Sequence, residues 1–269
     1  MKMAVIGIGN MGQALVGGFV RSGAHRPEEL YLYDYDTEKA AQFASKLGCH
    51  VCAGSAEAAK GADVVLIAVK PQVIALAAEE FKHEIGPDTL VISIAAGISI
   101  RKIRKILESE TVPVVRVMPN TPALVGEGAS ALCFSNVPAE KEAYALQLFE
   151  TCGIAIRTEE KYIDAVTGVS GSGPAYAMLF IEAMADAGVK LGLPRDIAVK
   201  LAAMTLKGSG AMALETGKNP AELKNAVCSP GGTTIEAVHT LEKNGFRSAV
   251  MDAVCAAARR SKELSQENP

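Results

Sequence analysis

The stretch that decides the fold is residues 3–12, which read MAVIGIGNMG. Four apolar residues predict a buried strand, and the six that follow match the pattern G-x-G-x-x-G. In that pattern Gly7 permits a tight turn, and Gly9 lets the backbone approach a pyrophosphate. Gly12 allows the next helix to pack closely on the strand. The stretch therefore predicts a strand, a tight turn and the start of a helix.

The same pattern predicts a dinucleotide site. It is a weak signal alone, because the chain has 25 glycines, but its place between a strand and a helix strengthens it. The phosphates would meet free N–H groups at the positive end of the helix. The alternative is a glycine-rich turn without a ligand. The predicted cofactor contacts here are Gly7, Ile8, Gly9, Asn10, Met11 and Gly12.

The first 157 residues continue as alternating strands and helices. Apolar or β-branched runs occupy residues 3–7, 30–34, 63–69, 89–94 and 112–117, and helical patterns start near Met11, Thr37, Pro71 and Ser99. Such an alternation indicates a parallel sheet covered on both faces, and right-handed crossovers make it doubly wound. A further strand, helix and strand at 130–134, 139–150 and 153–157 should close this domain. We therefore predict an N-terminal α/β domain of the Rossmann type, residues 1–157.

From residue 158 the strand signals disappear, and residues 158–269 predict an all-helical domain. Apolar side chains recur at helical spacing over residues 176–191, opposite a narrow charged stripe of Glu182, Asp186 and Lys190. A helix with so little polar surface is expected to be buried on most sides. Residues 196–215 look similar, and we expect too few partners within the chain to cover both helices. The sequence thus predicts a homo-oligomer formed through this domain, the alternative being a compact monomeric helical bundle.

Composition excludes several classes of function. The formal net charge of −3 gives no reason to expect a nucleic acid or a membrane as partner, and 5% aromatic residues without Trp argue against base stacking. We see no secretory signal, and the apolar runs at 64–69 and 90–98 are far shorter than a membrane span. Six cysteines in 269 residues do not suggest a disulfide scaffold. We therefore expect a cytoplasmic protein.

Cys49 and Cys52 form an isolated C-x-x-C. It is typical of a redox pair or of half a zinc site, but a second C-x-x-C and a His pair are missing from the sequence. We interpret the segment as a short strand with buried thiols, and we expect no metal site.

Two positions at strand ends are predicted to face the cofactor. Asp34 ends the second strand about 20 residues after the glycines, where an acidic side chain bonds the ribose hydroxyls. A 2′-phosphate would meet its carboxylate, so the residues favour NADH over NADPH. The alternative is that Asp36 or Thr37 caps the next helix and Asp34 faces solvent. The other position is the end of the strand at 63–69, where the predicted contacts are Ala68, Val69, Lys70 and Pro71.

Two segments interrupt the apolar helical domain, SGSGPAY at 170–176 and SPGGTTIE at 229–236. Each places Gly, Pro and hydroxyl residues immediately before a helical run, which exposes N–H groups suited to a carboxylate. The alternative for the second segment is a capping box, in which Thr233 and Glu236 satisfy the helix end themselves.

With these motifs the chain resembles the pyrroline-5-carboxylate reductases over essentially its full length. The motifs that carry the resemblance are residues 7–12, VKPQ at 69–72, MPNTP at 118–122, residues 170–176 with GLPR at 192–195, and residues 229–235 followed by GFR at 245–247. The first is shared by many dehydrogenases, whereas the last two are highly specific.

The resemblance implies reduction of 1-pyrroline-5-carboxylate to proline by NADPH or NADH. It also implies a helical dimerisation domain and dimers that assemble into a ring. By the same resemblance Thr234 contacts the imine, and main-chain N–H groups around it hold the substrate carboxylate. The predicted substrate contacts are Ser229, Gly231, Gly232 and Thr233, and Asn120 of the MPNTP motif is a predicted cofactor contact. Asp34 departs from the small polar or basic residues of many NADPH-preferring members, which agrees with the NADH prediction.

Two other functions remain as alternatives. One is a related reductase for another cyclic imine or for a 3-hydroxy acid. The hydroxy acid enzymes usually carry a catalytic Lys on the long helix between their domains, and here that stretch has a lysine only at Lys190. The other is a dinucleotide sensor without catalysis, which degraded substrate motifs would favour. The motifs do not decide whether Lys70 and Asn120 touch a ligand directly.

Overall fold

The computed structural model describes residues 1–267. The chain forms two compact units, one made of Met1–Gly171 together with the residues from Ala256 onward, the other of Ser172–Cys255. The predicted boundary after residue 157, between a cofactor-binding domain and a helical domain, stays a prediction. The two compact units do not show which residues bind the cofactor or the substrate.

The first unit is built on an eight-stranded sheet. Its strands are β1 (Met3–Ile6), β2 (Leu30–Tyr33), β3 (His50–Val51), β4 (Val64–Ile67), β5 (Leu90–Ser93), β6 (Val114–Met118), β7 (Gly128–Ser135) and β8 (Gly153–Arg157). Its helices are α1 (Asn10–Arg21), α2 (Thr37–Leu47), α3 (Ser55–Ala59), α4 (Ile74–Phe81), α5 (Ile100–Leu107), α6 (Ala139–Glu150) and α7 (Ile163–Val166). The spatial order of the strands is 3-2-1-4-5-6-7-8.

This order confirms the doubly wound sheet. All neighbouring strands are parallel except β6 and β7, which are antiparallel. The antiparallel pair was not predicted. Only a short 3₁₀ turn, Thr121–Val125, joins β6 to β7, and a parallel connection needs a longer crossover.

Both faces of the sheet are covered. Along β1, Met3 and Val5 belong to one buried cluster, whereas Ala4 and Ile6 belong to another. The first cluster contains Phe19 and Phe149, whose rings meet edge to face at 6.0 Å. Alternate residues of a strand point to opposite faces, and both faces are buried, so every position of such a strand is apolar.

The second unit is helical, with α8 (Gly173–Lys190), α9 (Arg195–Thr216), α10 (Pro220–Val227), α11 (Thr233–Lys243) and the first part of α12 (Phe246–Glu267). Helices α8 and α9 pack on each other. Along α8 only Ala185 is buried, whereas Met178 and Leu179 are 63% and 67% exposed. A single chain therefore does not provide the burial that the sequence predicts for these helices.

Helix α9 also passes a test for membrane-spanning helices. Within residues 1–267 it is the one helix whose length and hydropathy would allow it to cross a bilayer. One such helix is weak evidence, because an apolar helix that packs against other protein passes the same test.

The C-x-x-C segment surrounds the short strand β3, as predicted. Cys49 and Cys52 are free thiols. Burial raises the pKa of Cys49 to about 11 and also raises that of Cys52, so neither is a ready thiolate. Among the described residues, no group of three His, Cys, Asp or Glu side chains is placed to hold a metal ion.

Candidate functional site

The glycine-rich turn connects β1 to α1. Gly7 has a φ of +105°, and a Cβ there would lie 2.7 Å from the Ala68 carbonyl. A Cβ on Gly12 would collide with the Gly7 carbonyl oxygen. A larger side chain at either position would therefore strain the turn or push α1 away from the sheet.

Gly9 differs from these two glycines because its surroundings are open. It is the N-cap of α1, and no heavy atom of residues 1–267 lies within 4 Å of an ideal Cβ there, leaving aside its immediate neighbours in the chain. In the described structure no side chain caps the helix. Open space beside uncapped N–H groups fits a dinucleotide pyrophosphate, and the predicted contacts of Gly9, Asn10 and Met11 remain compatible with this geometry.

Ile8 is held by the protein on both of its main-chain groups. Its N–H donates to Asp34 Oδ2 at 2.5 Å, and its carbonyl accepts from Gln13 Nε2 at 3.1 Å. Its side chain is fully buried. The predicted cofactor contact of Ile8 thus lacks a free N–H donor.

Asp34 is tied to the glycine-rich turn. Besides the bond from Ile8, its Oδ1 accepts from the N–H of Asp36 at 3.0 Å. Asp36 in turn caps α2 by accepting from the N–H of Lys39 at 3.1 Å. The alternative was therefore right about the cap and wrong about Asp34, which is half-buried and bonded to the turn. Sequence reasoning missed this bond.

Residues 68–71 leave β4 beside the same turn. The Ala68 carbonyl lies against Gly7, and Val69 packs partly into the core. Lys70 is exposed and precedes a 3₁₀ turn, Pro71–Val73. The structure therefore brings Ala68 and Val69 to the turn and leaves the side chain of Lys70 in solvent.

Asn120 follows β6 at the same edge of the sheet. Its side chain is buried, accepts from the N–H of Ala129 at 2.8 Å and donates to the Ser170 carbonyl at 3.0 Å. The predicted cofactor contact would have to compete with these two bonds.

The second unit carries the segment between α10 and α11. Gly231 has a φ of +67°, which favours glycine. Gly232 has extended backbone angles that any residue adopts, and a Cβ there would require Ser229 Oγ to move. Ser229, Gly231 and Thr233 are exposed, whereas Gly232 and Thr234 are half-buried.

The start of α11 is open. Its N-cap is Gly232, and no side chain in the described part of the chain caps it. The alternative interpretation, a capping box, is therefore wrong, because Thr233 already occupies the first helical position instead of the N-cap. Helix α11 thus begins with N–H groups that suit an anion, and Thr234 is the second residue of the helix.

The other predicted carboxylate segment has a different geometry. A π-helical turn, Thr167–Gly171, leads into α8, whose N-cap Ser172 has helical backbone angles. The segment therefore continues a helical path and does not open a fresh helix end. The interpretation of residues 170–176 as a carboxylate site is therefore wrong.

Comparisons with known proteins agree with this geometry. Residues 160–264 match the model of pyrroline-5-carboxylate reductase dimerisation, and residues 2–97 match the model of coenzyme F420-dependent NADP oxidoreductase. A pyrroline-5-carboxylate reductase of Arabidopsis thaliana is 43% identical over 98% of this chain and 96% of its own length.

Solved structures show the same similarity. A pyrroline-5-carboxylate reductase of Coxiella burnetii is 36% identical, covers 98% of both chains and superposes with a TM-score of 0.91. The pyrroline carboxylate reductase of Plasmodium falciparum with NADP bound is 35% identical over 98% of both chains, with a TM-score of 0.88. Such identity along the whole length shows the family. The chain belongs to the pyrroline-5-carboxylate reductases.

Proposed function

We propose that this protein reduces 1-pyrroline-5-carboxylate to proline with a reduced nicotinamide dinucleotide. The observation that carries the proposal is the uncapped start of α11 beside Thr234, in a chain that belongs to this family over its whole length. The reduction adds one hydride to the imine carbon, and the imine nitrogen takes up one proton, which gives the secondary amine of proline.

The substrate carboxylate is bound by main-chain N–H groups at the turn before α11. Gly231, with its positive φ, allows the chain to turn before the helix, and the positive end of α11 favours an anion. The hydroxyl of Ser229, which lies against Gly232, is available as a further donor. A small acid is the ligand that this geometry fits.

Thr234 contacts the imine nitrogen through its hydroxyl. A C=N bond accepts hydride more readily when its nitrogen is protonated or hydrogen-bonded, and such assistance typically contributes about 10²–10⁴-fold. When bound, the reduced nicotinamide supplies the hydride. The remaining contribution of the chain is to hold the imine in place.

The preferred cofactor in this proposal is NADH and not NADPH. Asp34 carries its charge at the end of β2, and two backbone N–H groups fix its carboxylate there. A ribose 2′-hydroxyl can donate to such a carboxylate, whereas a 2′-phosphate is repelled by it. The Plasmodium relative has NADP bound, and the ratio of kcat/KM with NADH to that with NADPH tests the preference in this chain.

The chain acts as a homo-oligomer formed through α8 and α9, and its dimers assemble into a ring. The match to the dimerisation model covers both helices, and their exposed Leu179 and Met204 give a second copy apolar surface to bury. We place the activity in the cytoplasm, a compartment in which thiols stay reduced, since all six cysteines are free.

The test is to mix the purified protein with NADH and 1-pyrroline-5-carboxylate and to follow the absorbance of the reduced nicotinamide. We expect its oxidation to match the proline formed, one for one. A 3-hydroxy acid with NAD⁺ should give no turnover. Cofactor binding without oxidation would favour the sensor and overturn the proposal.

A further inference from the structure

We infer that Asn120 is a positioning residue for the reduction proposed above, on which this inference rests. Its side chain holds the turn at Ser170 and Gly171 against the end of β6, and it does not act by contacting the cofactor.

The carboxamide of Asn120 has a protein partner at each end. The residue is only 8% exposed, its Oδ1 accepts from Ala129 N–H at 2.8 Å, and its Nδ2 donates to the Ser170 carbonyl at 3.0 Å. One side chain thus joins the end of β6, the start of β7 and the π-helical turn. Removing it would leave buried polar groups unpaired.

The π-helical turn is held by its own side chains and by Asn120. Within it, the hydroxyls of Thr167 and Ser170 donate back to carbonyls four residues earlier, at 2.8 and 3.1 Å. The Ser170 carbonyl instead accepts from Asn120. Gly171 lies against the last residue of β6, since a Cβ there would be 2.5 Å from Met118 Cε. π-Helical turns are rare and occur frequently at functional sites.

The bond between Asn120 and Ser170 lies where the chain passes from the sheet to the helical unit. Strands β1, β4, β5 and β6 are parallel, so β6 ends at the same edge as the glycine-rich turn. From the turn at Gly171 the chain runs directly into α8, the first helix of the unit that carries Thr234. A loosened turn should therefore impair use of the imino acid and leave the affinity for the dinucleotide unchanged.

The experiment compares Asn120→Asp with the wild type. The new side chain still accepts from Ala129, but its second oxygen repels the Ser170 carbonyl. We expect kcat/KM for 1-pyrroline-5-carboxylate to fall about tenfold, as for one lost hydrogen bond, with the Kd of NADH within about twofold of the wild-type value.

The pH profile separates positioning from general damage. When protonated, the introduced carboxyl can donate to the Ser170 carbonyl, so the defect should shrink as the pH falls. Asn120→Ala cannot recover in this way. The matched control is Asn136→Asp, the same change beyond the end of β7 at the opposite edge of the sheet, which should behave as the wild type.

A second route avoids Asn120. Gly171→Ala places a Cβ 2.5 Å from Met118 Cε and 3.4 Å from Thr167 Cγ2, so the turn or the end of the Met118 side chain must shift. We expect this crowding to lower kcat/KM for the imino acid about threefold, and Met118→Ala added to it should restore the value by making room. These two variants decide the question if Asn120→Asp does not fold.

Two results would overturn the inference. One is a Kd of NADH that rises together with the loss of kcat/KM in Asn120→Asp, which would make Asn120 a cofactor contact. The other is wild-type kinetics in the Asn120 and Gly171 variants. A wild-type enzyme that does not reduce the imino acid would instead refute the proposed function.

Discussion

Replacing Asp34 separates two roles that the structure gives one carboxylate. It accepts from the buried N–H of Ile8 at 2.5 Å, and it stands where the adenosine ribose binds in this fold. Asp34→Ala removes the charge and both acceptors, whereas Asp34→Asn can keep the acceptor for Ile8 and removes the charge together with the acceptor for the N–H of Asp36.

The magnitudes follow from these two roles. Leaving a buried N–H without its charged partner costs about 1.5–3 kcal/mol, and about 1.4 kcal/mol corresponds to tenfold in affinity. We therefore expect Asp34→Ala to bind NADH and NADPH at least about tenfold more weakly than Asp34→Asn does. Loss of the charge also removes the repulsion of a 2′-phosphate. The ratio of kcat/KM for NADH to that for NADPH should consequently fall about tenfold or more in both variants.

The assay is steady-state kinetics with each dinucleotide at saturating 1-pyrroline-5-carboxylate, together with direct titration of each cofactor. Asp36→Asn is the matched control, because it removes a charge two residues away and keeps a good helix cap. If the Ala and Asn variants bind the cofactors equally well, the bond from Ile8 to Asp34 does not support the glycine-rich turn. A wild-type preference for NADPH would refute the role of its charge.

Three further predictions concern other parts of the chain. Thr234→Ala should lower kcat by about 10²-fold or more without weakening NADH binding, because the hydroxyl acts on the imine, and turnover measurements test this. Met204→Glu should convert the oligomer to monomers in light scattering, because it places a charge on exposed apolar surface of α9. The free energy of unfolding should fall as the pH drops below about 6.5, and His25→Gln should weaken that dependence.

The sign of the pH effect follows from the surroundings of His25. Its Nε2 lies 2.6 Å from the Tyr144 hydroxyl. Burial is the largest effect and lowers the pKa of His25 below 6.5. The Glu29 carboxylate, 3.7 Å from Nδ1, raises the pKa by less than burial lowers it, and the N-terminal ammonium also lowers it. The unfolded chain thus binds a proton first as the pH falls, which destabilises the folded state.

Each of these predictions has its own control. Thr234→Ser keeps the hydroxyl and should retain most of the turnover, and full activity of Thr234→Ala would remove this side chain from the mechanism. Leu76→Glu makes the same kind of change on exposed apolar surface of α4, and it should leave the oligomer intact. A pH dependence of unfolding that is identical with and without His25 would contradict the third prediction.

Short elements and strand directions were beyond sequence reasoning. Helix α3 has five residues, too few to show a helical period. The sequence also did not indicate the reversed direction of β7, because an apolar run has the same pattern in a parallel and in an antiparallel strand. The uncapped start of α11 was one of two readings that residues 229–236 allowed, and only the backbone angles decided between them.

The sequence by itself determined the doubly wound sheet, the turn at Gly7–Gly12, the helical second part of the chain and the family. These features depend on residues that are close together in the sequence. The period of the apolar residues, a glycine in a tight turn and the first turn of a helix are all set within a few residues. The tertiary structure decided which distant polar groups meet. Asp34 bonds Ile8, which lies 26 residues away, and Asn120 bonds Ser170, which lies 50 residues away. Such pairs form because burial forces each polar group to find a partner, and which partner it finds depends on the packing of the whole unit.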